Sequence, residues 1–392
     1  MGTYLNPDNS KFQESINSDI YVDKTGLITY TNSVMHTQQK CICVSRPRRF
    51  GKSMAANMLS AYYSRGCDSK ELFQNLEIAE DAQFETYLNQ YDVIFLNVQE
   101  FLSQSKNIDE MISLIRRSVL WDLLGEYPEF RYFDTSNLTR TMQDVYQQTK
   151  CPFVVIIDEG DCVFREYKTN RETQERYLDF LRDLLKDKGY IHLVYMTGIL
   201  PIKKYGTHSA LNMFDEFSMI EPGPLASYVG FTEIEVQKLC GQYDMELEEV
   251  KNWYDGYSFD KALSVYSPRS VVSCMRLGKI GNYWNQTETF EALQVYIDMN
   301  FDGLKDDVLS MIAGNQVPVN IGSFTNDMTT FRSEDDVLTL LIHLGYLGYD
   351  SDNKAVFIPN GEIRSEYVKA VSVSDWGEVF GKTGTGRGIE MG

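Results

Sequence analysis

Residues 45–53, which read S-R-P-R-R-F-G-K-S, hold the densest chemistry in the chain. A glycine followed by lysine and a hydroxyl residue, set between an apolar run and an amphipathic one, ends a phosphate-binding loop of the pattern G-x-x-x-x-G-K-S. In such a loop the backbone N–H groups of the turn and of the helix start cradle phosphate oxygens. Lys52 then reaches the β- and γ-phosphates, the Ser53 hydroxyl ligates Mg2+, and Gly51 lets the backbone come close. The contacting stretch is read as Arg46, Pro47, Arg48, Arg49, Phe50, Gly51, Lys52, Ser53 and Met54, with Arg46 where the general pattern has its first glycine. The three arginines form the one strong basic cluster of an acidic chain. Either they grip a polyphosphate together through charge-assisted, often bidentate bonds, or one faces phosphate and two pair with nearby carboxylates.

A second group of residues complements the loop. The apolar run at 152–157 delivers Asp158 and Glu159 side by side at its end, and ligands of open α/β sheets bind at that edge. Asp158 is assigned to Mg2+, through water, and Glu159 to orienting and polarising the attacking water. The plainer alternative is a helix cap beginning after Gly160. Thr197 ends another apolar run, at 191–196, where a polar residue either senses the γ-phosphate or bonds its own loop. Arg165, Arg171, Arg176 and Arg182 are candidate arginine fingers that sequence does not rank. A second G-K-T, at 381–383, is rejected: its preceding glycine, Gly377, is one residue too near and no apolar strand leads into it.

The elements that must position these residues are legible as alternating short apolar runs and amphipathic stretches, the pattern of strands feeding crossover helices. Strands are expected at 40–45, 91–97, 152–158 and 191–196. Helices are expected from 51 to about 65 and around the in-phase sets Ile108–Val119, Leu138–Tyr146 and Tyr177–Leu185. The fold class is therefore α/β, a doubly wound and mostly parallel sheet of the P-loop NTPase type. After Pro222 helical patterns dominate: a capping box spans Thr232 to Glu235, and a helix, hairpin and helix near the end suggest a winged-helix-like unit. The expected divisions are an N-terminal segment 1–35, the phosphate-loop domain 36–222, a helical lid 223–330, the winged-helix-like unit 331–375 and a Gly-rich tail 376–392.

Composition narrows the class further. The chain has 392 residues, 43% hydrophobic and 24% charged, which is globular rather than disordered or fibrous. A net charge of −19 argues against a broad nucleic-acid surface. The 7 cysteines lack C-x-x-C spacing and the 4 histidines are scattered, so reduced core thiols are expected and a His-rich metal centre is not. No apolar run approaches the ~18 residues that cross a bilayer, and the first residues carry no basic start or apolar core of a signal peptide. A cytoplasmic protein without membrane attachment is expected.

Several short motifs taken together resemble the bacterial AAA-ATPase-like family: Y-V-D-K-T at 21–25, R-P-R-R-F-G-K-S at 46–53, I-D-E at 157–159, T-G-I at 197–199, S-A-L-N at 209–212, G-F-T-E at 230–233, W-Y-D-G-Y at 253–257 and I-P-N at 358–360. The resemblance runs from about residue 20 to 370. It implies that arginine at position 46 is the family's usual residue, that Lys52 and Ser53 serve phosphate and Mg2+, and that Asp158 and Glu159 serve metal and water. It gives the Asp23-Lys24 element no role. Similar chains commonly continue into a PD-(D/E)XK nuclease domain. No such constellation follows residue 370, so nuclease activity is not expected here, and a reading frame truncated or shifted near residue 380 is. The functional expectation is an ATP-binding, Mg2+-dependent ATP-hydrolysing switch or regulator. The alternatives are a non-hydrolysing nucleotide-binding interaction module and a DNA-binding regulator using the winged end. Nucleotide base, homo-oligomer or protein partner, and nucleic acid stay open.

Overall fold

The computed structural model describes residues 2–202, 211–259, 263–284, 290–298, 301, 303–324 and 331–373. Ser209, Ala210, the Gly-rich tail and the rejected G-K-T at 381–383 lie outside the described residues.

Five strands form the main sheet: β1 (Cys41–Ser45), β2 (Asp92–Asn97), β3 (Phe153–Asp158), β4 (Ile191–Gly198) and β5 (Asp215–Phe217). Their order is β2-β3-β4-β1-β5, and every pairing is parallel. The reason is visible in β3. All six of its residues are buried, and they alternate between faces: Phe153, Val155 and Ile157 join one apolar cluster, Val154 and Ile156 the other. A strand buried on both faces needs helices on both. One face is covered by the helices Ile108–Glu126, Leu138–Thr149 and Arg171–Leu185, the other by Lys52–Tyr63. The expected α/β doubly wound class is what the chain adopts, with one strand beyond the four read from sequence. That strand, β5, is three partly exposed residues on the edge beside β1.

Beyond the sheet, helices Glu233–Tyr243, Leu247–Tyr254 and Pro268–Leu277 gather around Val236, Val250, Val271 and Cys274. The capping box at Thr232 and Glu235 opens the first of them. A small antiparallel sheet, β6 (Phe231–Thr232), β7 (Tyr257–Phe259) and β8 (Leu263–Tyr266), lies beside them in the order β6-β8-β7. The winged-helix-like end is present: helix Glu334–Leu344, the hairpin β10 (Gly348–Asp350) and β11 (Ala355–Phe357), then helix Gly361–Val373, with β9 (Val317–Pro318) paired to β11. Its core residues Leu338, Leu341 and Tyr367 belong to the same apolar cluster as β1's Ile42 and Val44, so one continuous core joins it to the sheet domain.

Candidate functional site

The loop between β1 and helix Lys52–Tyr63 turns on two left-handed residues, Arg49 at φ 67° and Gly51 at φ 91°. A Cβ built on Gly51 would meet nothing within 4 Å, so the backbone there borders open space. The helix starts at the next residue, leaving its first N–H groups directed at that space. Lys52 is only 5% exposed, and its Nζ donates to the carbonyl oxygens of Arg46 at 2.9 Å and Pro47 at 2.8 Å, bridging the start of its own loop. Burial pulls its pKa down, opposed by the carboxylates of Glu159, Asp161 and Asp158. That opposition places the two sequence groups in one electrostatic neighbourhood.

Asp158 ends β3 and is 3% exposed. It accepts a hydrogen bond from the Thr197 hydroxyl at 2.5 Å, while the Thr197 carbonyl accepts from Gly160 N–H at 2.7 Å. The structure therefore gives Thr197 a bond to Asp158, across neighbouring strand ends. Glu159 sits at φ 54° and forms an ion pair with Arg165. Arg165 Nε also meets Asp161 Oδ2 at 3.1 Å, and that same oxygen accepts from the N–H groups of Ile199 at 3.0 Å and Leu200 at 2.9 Å. Burial raises the Glu159 pKa, and Lys52 and Arg165 counter it. Of the four arginines left unranked, Arg165 touches Glu159 of the carboxylate pair; Arg176 pairs with Asp109 and Arg182 with Asp179.

Arg46 departs from expectation. Its side chain is fully buried, and Nη1 donates to the carbonyls of Ser45 at 2.9 Å and Phe217 at 3.2 Å. The guanidinium carbon stands 4.9 Å from the centre of the Phe259 ring. A charged group with an aromatic face and two carbonyls at hand on the β5 and β7 side has partners there, so it turns away from the loop cavity and links the main sheet to the small one. Pro47 is likewise committed elsewhere, since a Cβ on Gly345 of the winged end would lie 2.7 Å from its ring. Phe50 is buried and packs edge-on against Tyr257. Arg48 and Arg49 are exposed.

One cavity of about 570 Å³ joins these elements, bordered by Arg48, Arg49, Gly51, Lys52, Ser53, Met54 and Glu159 on the loop side. That volume lies within the ~300–1,000 Å³ of small-molecule sites. Its other walls come from elsewhere in the chain: Ile20, Tyr21, Val22 and Lys24 from the N-terminal segment, Phe231, and Arg269, Val272 and Arg276 from helix Pro268–Leu277. Arg269 has a buried Nε without a hydrogen bond among the described residues, and Arg276 pairs with Asp19 at 3.2 Å. Two arginines more than two hundred residues from the loop give no sequence signal of their proximity. The motif at 21–25 did give one, though not a role.

Among the described residues no three His, Cys, Asp or Glu side chains converge as a metal cage. The oxygen donors on the cavity are the Ser53 hydroxyl and the Glu159 carboxylate, with the Asp158 carboxylate buried at the neighbouring strand end and bonded to Thr197. This set fits Mg2+ carried with phosphates, which keeps several waters and needs few protein ligands.

A parallel sheet in this order, with G-K-S after β1 and D-E at the end of β3, defines an AAA-ATPase-like P-loop module. A family model described as predicted AAA-ATPase matches residues 9–207, and the chain belongs to that family, whose membership implies nucleotide binding. An uncharacterized protein of Azotobacter chroococcum mcd 1, encoded in the vnfD 5′ region, is 21% identical over 280 residues, covering 69% of this chain and 51% of that protein. The chain thus spans about half the length of this curated relative. Three solved structures are similar at TM-scores below 0.5. The Aeropyrum pernix ORC2 protein in ADPNP–ADP complexes has 9% identity and a TM-score of 0.34, covering 95% of this chain and 100% of that one. Cdc6p from Pyrobaculum aerophilum has 11% and 0.31, covering 94% and 99%. The Aeropyrum pernix ORC1 protein in complex with DNA has 11% and 0.32, covering 97% and 100%. Among the described residues no helix is long and apolar enough to cross a membrane.

Proposed function

We propose that this chain binds ATP with Mg2+ in the cavity beside residues 48–54 and hydrolyses it, serving as a nucleotide-driven switch. The observation that carries the reading is the meeting of Lys52, Ser53 and Glu159 on one cavity at the C-terminal edge of one parallel sheet, with Asp158 in the electrostatic neighbourhood of Lys52. Bound Mg2+ would supply charge neutralisation on the β- and γ-oxygens, held by Ser53 and, through water, by Asp158. Lys52 exchanges its two carbonyl partners for phosphate oxygens, a change from neutral to charge-assisted bonds that favours the loaded state. Helix N–H groups at 52–54 add to the cradle. Glu159 orients the attacking water, and Arg165, anchored on Asp161, holds that carboxylate at the cavity wall. Thr197 fixes Asp158. Arg48 and Arg49, exposed at the cavity mouth, attract the polyanion within an otherwise acidic chain.

The test is phosphate release under Mg2+-ATP. The wild type turns over, Glu159→Gln keeps ATP affinity and loses turnover by about a hundredfold or more, and Lys52→Ala loses affinity. Wild type that binds ATP without releasing phosphate would favour the interaction-module alternative, in which the nucleotide fixes one conformation for a partner.

A further inference from the structure

The Y-V-D-K-T segment, left without a role by sequence, joins two parts of the molecule by alternation. Ile20 and Val22 pack into the lid cluster with Phe231, Val236 and Val271. Tyr21 packs the other way, 6.3 Å from Phe12 and against the cluster that covers the sheet. The polar residues continue the pattern. Asp23 accepts from the N–H of Glu77 at 2.7 Å, and Thr25 Oγ1 accepts from the N–H of Ile78 at 3.1 Å, both on the sheet side. Lys24 reaches into the lid, where Nζ donates to both carboxylate oxygens of Glu235 at 2.7 and 2.6 Å and to the Ser227 carbonyl at 2.8 Å. A period of two is that of an extended chain, and here it stitches the lid to the sheet.

The Lys24–Glu235 pair sits at a mechanically informative place. Glu235 also accepts from Thr232 N–H at 2.7 Å as part of the capping box, so the lysine is tied to the first turn of helix Glu233–Tyr243. That helix packs on Pro268–Leu277 through Val236, Leu239 and Cys240 against Val271 and Cys274. The second helix carries Arg269 and Arg276 to the cavity that Tyr21, Val22 and Lys24 themselves border. Side-chain exposures of 14% and 21% take the pair out of the fully solvated regime in which ion pairs contribute little.

We infer that Lys24 is a positioning residue of the nucleotide site: through Glu235 it holds the lid helices against the cavity and so sets how long a nucleotide stays bound. The inference rests on the ATP-binding reading. It is tested on the full chain by stopped-flow dissociation of a fluorescent ATP analogue with Mg2+, together with hydrogen exchange of the amides of 268–277 without nucleotide. The variants are Lys24→Gln, Lys24→Arg, Glu235→Gln and the Gln/Gln double. Glutamine at position 235 keeps the capping box and removes only the charge. Each Gln single is expected to speed dissociation about tenfold and to raise lid exchange, the double to do no more than either single, and Lys24→Arg to stay near wild type. Additive effects in the double, or faster exchange with unchanged dissociation, would overturn the inference. If the wild type does not bind the analogue, the ATP reading fails instead, and the exchange data alone then decide whether Lys24 holds the lid: unchanged exchange rejects it.

Discussion

Replacing Arg46 separates a phosphate contact from a buried cross-link. Arg46→Met keeps the apolar stem over Phe259 and deletes the guanidinium. Two charge-assisted bonds are lost, to Ser45 and Phe217 carbonyls, worth roughly 1.5–3 kcal/mol each, with about 1–2 kcal/mol of cation–π attraction. Against this stands the cost of burying the charge. Burial pushes the guanidinium pKa down to about 10 from its ordinary 12.5, which amounts to roughly 3 kcal/mol no longer spent on desolvation. Two carbonyls are left without a donor while Met regains contact with the ring, so the net loss is about 1–4 kcal/mol. Thermal unfolding should show a Tm lower by several degrees. Titration with ATP should give a Kd within about threefold of wild type, because the group lies outside the cavity. An unchanged Tm with affinity lost tenfold or more would refute this reasoning and return Arg46 to the phosphates.

Three further outcomes follow from particular residues. Gly51→Ala places a Cβ in open space but at φ 91°, so calorimetry should show a loss of about 1–2 kcal/mol from backbone strain, with weakened ATP affinity as the loop shifts. Glu362 is buried, which raises its pKa to about 7 against the bonds it accepts from Ser270, Tyr283 and Trp284. A carboxyl with a folded pKa above its unfolded value favours the folded state when protonated, so its contribution is lost as pH rises from about 4.5 to 7. Glu362→Gln, which can keep the same partners, should flatten that slope in a pH series of denaturant midpoints and stabilise the protein at pH 8 but not at pH 4, with the midpoint shift read against wild type. Chelation with EDTA should stop phosphate release, and added Mg2+ should restore it.

The sheet was legible because burial on both faces writes itself as runs such as residues 153–157, and a helix between runs writes itself as a 3.6-residue period. The fifth strand and the lid's small sheet were not, because strands of two to four residues carry too short an alternation to stand out, as Asp215–Phe217 and Phe231–Thr232 show. In the site, spacing alone brought out Lys52, Ser53, Asp158 and Glu159. It could not give the direction of Arg46, whose acceptor at Phe217 lies 171 residues away, nor the convergence of Arg269 and Lys24 on one cavity. Those depend on which surfaces the lid and the N-terminal segment bury against each other, a property of tertiary packing.

The most direct test is a structure of the protein with a non-hydrolysable ATP analogue and Mg2+. The account predicts the triphosphate along residues 48–54, with Lys52 Nζ moved from the Arg46 and Pro47 carbonyls onto phosphate oxygen, Asp158 beside the metal, and Arg46 still over Phe259. Lys52 remaining on its two carbonyls, with the nucleotide bound elsewhere, would contradict it.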